Sequence, residues 1–215
     1  SANEDYCEIS MNITKKNLEK GFGIFSDILL NPEFPESELQ KEKAMVMAAI
    51  KSRKDHIFEV SFDILRKNIY GTHPYANLYL GAPADIEKLT RAEIVRQYMD
   101  FVTAPNILLV AAGNIKPGEI KILVNKYLSG LRGEKAPEIK APAVEPSAKT
   151  VRETRKFEQA YVMFGFLCPP VTGEDFIRLK ILDVYLGGGM SSLLFQELRE
   201  KGGLGYEVHS FYQGR

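Results

Sequence analysis

Apolar residues recur at spacings of three and four over long stretches of this chain, and at every second position over shorter ones. Leu18, Phe22, Phe25 and Leu29 keep the first spacing, which predicts an amphipathic helix capped by Thr14 and stopped at Asn31–Pro32. The run PESELQKEKAMVMAAIKSRKDHIFEVSFDILRKNIYG opens with Pro and Glu, as first helical turns do, and is long enough to break near Lys54–His56. THPYANLYLGAPADIEKL, rich in Pro and small residues, reads as a loop. Thr90 with Glu93 three positions on forms a capping-box pattern ahead of another helix. KPGEIKILVNKYLSGL, GEDFIRLKILDVYLGGG and MSSLLFQELREK predict three more helices, the second ended by glycines. NILLVAAGNI reads as a buried strand, and FEQAYVMFGFLCP and LGYEVHSFYQ as further strands; the alternation around Cys7, Ile9 and Met11 suggests another at the start.

Helices and strands mixed in this order predict an α+β protein, a sheet with helices packed on it. Residues 132–150, RGEKAPEIKAPAVEPSAKT, carry three prolines and no periodicity, so they read as a semi-rigid linker. The expected organisation is then the later part of one α+β domain over 1–131, the linker over 132–150, and the opening part of a second domain over 151–215. The abrupt start, with no initiator Met and no signal peptide, reads as a piece of a longer protein.

Charge and cysteine narrow the function. Lys+Arg and Asp+Glu balance at 28 each, so no global field draws in nucleic acid or an anionic membrane. No apolar run approaches the roughly 20 residues needed to span a bilayer. Cys7 and Cys168 stand far apart without metal-ligand spacing and read as two buried free thiols.

Three stretches, TAPNILLVAAGNI, QAYVMFGF and above all LGGGMSSLLFQELREKGGLGYEVHSF, resemble the insulinase/pitrilysin/mitochondrial-processing-peptidase family of zinc metallopeptidases. The likeness runs over nearly the whole chain. It implies duplicated α+β domains that close as two halves around an unfolded peptide. It also implies zinc-dependent peptide hydrolysis, the metal held by an HxxEH motif whose Glu acts as general base. That motif is absent: His56, His73 and His209 are the only histidines, and none has a partner four positions away. The stretch similar to the family's third-ligand helix is LQKEKAMVMAAIKS, where Glu42 falls on an upstream acidic position and Ala49 on the ligand position. Positions seven apart lie roughly 10 Å apart along a helix, so Glu42 cannot stand in for the missing ligand. Lys51, Arg53 and Lys54 add positive charge nearby. No metal site is therefore expected in this chain, and no cofactor; zinc is expected in a partner subunit or in a region upstream.

The resemblance also gives roles to Arg199 and Tyr206, as the pair that holds a substrate carbonyl and stabilises the oxyanion. The glycines between them are expected to let the two side chains converge on one spot. Gly187, Gly188 and Gly189 read either as a helix stop or as a close backbone approach to peptide; no GK[ST] follows, so they form no phosphate loop. Peptide is also expected to add as a strand at an edge that in relatives falls near residues 1–5. Three functions follow as expectations. The first is a non-zinc subunit that grips unfolded peptide through Arg199 and Tyr206 while a homologous zinc-bearing subunit, in a heterodimer or homodimer, supplies the metal. The second is a complete zinc peptidase with HxxEH upstream; the third is a non-catalytic scaffold or peptide-binding protein. By itself the chain is expected to be inactive. Relatives work in both the cytoplasm and the periplasm, and the resemblance selects neither.

Overall fold

The computed structural model describes residues 2–145 and 147–213. Seven α-helices appear among them: α1 Leu18–Leu30, α2 Glu36–Arg53, α3 Ile57–Tyr70, α4 Pro83–Lys88, α5 Arg91–Phe101, α6 Pro117–Tyr127 and α7 Phe176–Gly187, followed by a π-helical segment, Phe195–Lys201. The chain divides into two compact units, one running to Met163 and the other from Phe164 onward.

The helix starts follow their sequence signals closely. Thr90 Oγ accepts from the Glu93 amide at 3.3 Å and Glu93 Oε2 accepts from the Thr90 amide at 2.8 Å, completing the capping box of α5. Glu119 likewise reaches back to the Lys116 amide at 2.8 Å ahead of Pro117, the first residue of α6. The long apolar pattern breaks at 54–56, as its length requires, and α3 restarts after His56. Thr14 does not cap α1: a 3-10 turn, Lys15–Asn17, intervenes and Asn17 takes the cap position. The stretch read as a loop after α3 contains α4, started by Pro83 and ended where Lys43 Nζ donates to the Glu87 and Leu89 carbonyls at 2.7 and 3.0 Å. Lysine at a helix C-terminus satisfies carbonyls that have no partner within the helix.

Within the first unit α1 packs on α6, and Phe22, Leu123 and Leu128 form the buried cluster there, lined by Leu18, Leu29, Val124, Tyr127 and Leu131. Phe34, between α1 and α2, has φ +46°, a left-handed geometry uncommon for a bulky residue. It is held from outside: the Arg91 guanidinium donates to the Glu33 and Phe34 carbonyls, both at 2.8 Å, and Tyr98 meets the Phe34 ring edge-on at 5.3 Å.

The expected α+β architecture with a sheet is not what forms. Among the described residues helix makes up 49% and strand 1%, with no sheet. The single pairing among the described residues is an isolated bridge, Ala2 to Cys7. The reason is visible in two of the four segments read as strands. Leu108 and Val110 are 87% and 77% exposed, so NILLVAAGNI is not a buried strand. Val162, Phe164 and Phe166 keep the period of two and are likewise open to solvent. Period-two patterning favours an extended backbone, but a sheet also needs a ladder partner at the right distance, and no described segment provides one. Cys7 and Cys168 are free, as expected, yet both are exposed rather than buried.

Candidate functional site

The site builds on α7, the π-helical segment and the final segment 206–213, all in the second unit. α7 ends at Gly187 with Gly188 in the cap position. A Cβ on Gly187 would stand 2.0 Å from the Ser210 amide nitrogen, so this glycine lets the final segment lie directly on the helix end. The segment is then latched there. Ser210 Oγ lies 2.8 Å from the Asp183 carbonyl and 2.7 Å from Asp183 Oδ1, the Tyr212 amide donates to Asp183 Oδ2 at 3.3 Å, and the Tyr212 hydroxyl donates to the Pro169 carbonyl at 2.5 Å. Lys180 Nζ sits 5.6 Å from the Tyr212 ring centroid. Gly189 has open space where a side chain would go. Of the three glycines, Gly187 thus serves a close approach within the chain itself.

The π-helical segment carries Phe195 and Arg199 four positions apart, which puts their side chains on one face. Its end is a tight reversal. Gly203, at φ +59°, donates its amide to the Arg199 carbonyl at 3.1 Å, and the Leu204 amide donates to the Leu198 carbonyl at 2.9 Å. A left-handed residue at this point of a helix end is most cheaply a glycine. The reversal brings Tyr206 back beside the helix it has just left. The Arg199 guanidinium carbon lies 4.5 Å from the Tyr206 ring centroid and 4.6 Å from that of Phe195. Arg199 and Tyr206 therefore meet, but ring face to guanidinium rather than as two donors side by side. A cation on an aromatic face contributes about 0.5–1 kcal/mol at exposed sites. Tyr206 is 83% exposed, and the Glu200 carboxylate stands 3.8 Å from Arg199 Nε. Phe195 was not singled out from the sequence; its signal there was an aromatic residue one turn before Arg199.

In the first unit, Ala49 lies exposed on α2, as does Glu42. A methyl group gives a cation nothing to bind. The nearby carboxylates are committed elsewhere: Arg53 takes Glu59 and Asp63, the latter through bonds of 2.8 and 2.9 Å, and Arg66 reaches Asp63 at 3.1 Å and Glu4 at 3.5 Å. The hydrogen bonds from Asp63 come first among the influences that raise the Arg53 guanidinium above its ordinary value. So the positive charge expected beside Ala49 is, at Arg53, already matched. His73 Nδ1 accepts from the Tyr75 amide at 3.1 Å, and His209 lies 3.8 Å from Glu207. Among the described residues no three His, Cys, Asp or Glu side chains gather as a metal site would need. The residues present do not fit a zinc ion. No helix among them is long and apolar enough to cross a membrane. Of the residue 1–5 edge, Ser1 lies outside the described residues.

Comparison with known proteins gives the family. Residues 88–214, more than half of the chain, match the family described as "Peptidase M16 inactive domain". The chain belongs to the M16 peptidase family, in agreement with its resemblance to insulinase and the processing peptidases. It is 35% identical over 193 residues to "Uncharacterized zinc protease YmxG" of Bacillus subtilis (strain 168), covering 88% of this chain and 46% of that protein. It is 28% identical over 214 residues to an "Uncharacterized zinc protease" of Mycobacterium tuberculosis (strain ATCC 25618 / H37Rv), covering 98% and 49%. The chain thus spans about half the length of the curated relatives it matches. Its fold is shared with the crystal structure of a peptidase M16 inactive domain from Pseudomonas fluorescens, at a TM-score of 0.75 and 22% identity over 93% of this chain and 49% of that one.

Proposed function

We propose that this chain is the substrate-gripping, non-zinc part of an M16-type metalloendopeptidase, holding unfolded peptide through Arg199 and Tyr206 while a homologous subunit carries the zinc. The observation that carries the reading is the Arg199–Tyr206 pair, stacked at 4.5 Å with Tyr206 open to solvent. With the Phe195 and Tyr206 ring centroids 4.6 and 4.5 Å from the guanidinium carbon, its N–H groups remain able to donate to a substrate acceptor. A peptide carbonyl is the acceptor that such an edge, together with a phenol, suits. The pair binds that oxygen, orients the peptide and faces the negative charge that develops on it. Removing one donor of this kind typically costs about 10²–10³ in rate. Ala49, without a donor atom, supports assigning the metal to the partner.

A second reading has one observation in its favour. The relatives are named zinc proteases, and this chain spans about half of their length; the whole protein is then a complete zinc peptidase with its metal motif outside this sequence. One assay separates the two. The full-length protein and a zinc-bearing paralogue are purified apart, and hydrolysis of an unfolded peptide is followed for each and for the mixture. Cleavage by the mixture only, reduced about 10²–10³-fold by Arg199→Ala or Tyr206→Phe, supports the subunit reading. Zinc-dependent cleavage by the full-length protein alone overturns it in favour of the second.

A further inference from the structure

We propose that Phe195 is a positioning residue, which fixes the plane of the Arg199 guanidinium so that its N–H edge points at the peptide; this rests on the peptide-gripping reading above. An arginine side chain has several rotatable bonds, and a ring on one side of the guanidinium restrains only its distance from that ring. A second ring against the same group restricts the remaining freedom to tilt. Phe195 provides it, 4.6 Å from the guanidinium carbon against 4.5 Å for Tyr206. The two rings differ in how they are held. Phe195 belongs to the π-helical segment itself and is partly buried, whereas Tyr206 sits at a bend beyond that segment and is 83% exposed. Phe195 is the fixed wall and Tyr206 the outer one. The neighbouring Glu200 carboxylate, 3.8 Å from Arg199 Nε, offers the guanidinium a competing direction. Without the Phe195 wall the side chain is free to turn toward Glu200, away from substrate.

The proposal separates from a purely structural role because it requires a ring, not merely volume. Phe195→Met keeps much of the bulk and removes the aromatic face; Phe195→Tyr keeps the face. Two measurements on the full-length protein decide. The first is the Arg199 Nε–Hε resonance in protein with ¹⁵N-labelled arginine, assigned by its loss in Arg199→Lys; ring currents shift this proton upfield while it is stacked. The second is kcat and KM for peptide hydrolysis by the protein mixed with its zinc-bearing paralogue. The expected result is that Phe195→Met moves the resonance downfield and lowers kcat roughly two- to fivefold with KM unchanged, the size of an exposed cation–π contact, while Phe195→Tyr restores both. Should Phe195→Met fail to fold, Phe195→Leu replaces it. An Arg199 resonance that does not move overturns the proposal, and so does a resonance that moves while kcat stays the same. If the unaltered mixture hydrolyses nothing, the peptidase reading falls by itself, and the resonance still reports whether Phe195 orients Arg199.

Discussion

At Gly187 a side chain has nowhere to go. A Cβ would lie 2.0 Å from the Ser210 amide nitrogen and 2.7 Å from the His209 carbonyl carbon, both backbone atoms that cannot step aside alone. Gly187→Ala must therefore push the 206–213 segment off the end of α7, and with it strain the Asp183 hydrogen bonds to Ser210 and Tyr212. Overpacking of this kind costs about 1–3 kcal/mol, read as a lower urea midpoint at unchanged slope. Gly189→Ala is the internal control: with open space there, its midpoint should stay within about 0.5 kcal/mol of the unaltered protein. The sequence shows three adjacent glycines and no difference between them. Gly187 is closed by Ser210, remote along the chain, and Gly188 by the Val184 backbone, 2.6 Å from where its Cβ would stand, so only the folded backbone sets these two apart from Gly189. Arg199 and Tyr206 were legible for the opposite reason. Their spacing and the glycines between them are local, and the reversal at Gly203 follows from them. That the pair would stack, with Phe195 also close to the guanidinium, depends on side-chain directions that spacing does not specify.

Helices announce themselves because their hydrogen bonds close within a few residues. Thr90 and Glu93 bond each other's backbone amides, and their hydroxyl and carboxylate also bond directly at 2.7 Å. Replacing Thr90 with Ala leaves the start of α5 with an unpartnered amide and is expected to cost about 0.5–2 kcal/mol. Acid should erase part of that difference. The Thr90 hydroxyl, and after it the Thr90 amide, hold the Glu93 carboxyl below its ordinary value of 4.5. A carboxylate lowered by folding stabilises the protein above its unfolded value, and that contribution disappears as pH falls through the lowered one. The gap between the unaltered protein and Thr90→Ala should then be widest near neutrality and narrow on acidification below 4.5, as thermal unfolding across pH would record. Strands offer no comparable local test. Val162, Phe164 and Phe166 display a clear period of two, yet nothing in that alternation says which segment should pair with them. The sheet expected from it was an inference about partners, and partners are non-local. The short helix Pro83–Lys88 was missed for a related reason: its end is finished by Lys43, a residue of α2 rather than of its own stretch.

For the molecule as a whole the question is what a metal could add. The M16 relatives are named zinc proteases, and a reader of those names alone would expect chelators to weaken this chain. The side chains argue otherwise. Near Ala49, Glu4, Asp63 and Glu59 alternate with Arg66 and Arg53 in one continuous ladder of charge, tying the start of the chain and the end of α2 to α3. Carboxylates paired with guanidinium groups are poor ligands, because binding a cation would first require breaking those pairs and leaving Arg66, 5% exposed, without counter-charge. Ala49 adds no donor. The sequence disclosed the missing donor but not the ladder, since Glu4 and Arg66 are far apart along the chain. A site that bound zinc only in the folded state would stabilise it by about 2.7 kcal/mol at a hundredfold excess over the dissociation constant. In a chain of this length that amounts to a shift of several degrees in Tm. Calorimetry of this chain should instead return the same Tm with EDTA, without it, and with added zinc. A rise with zinc that EDTA reverses would mean that side chains outside the ladder hold the ion, and the division of labour between two subunits would lose its physical basis.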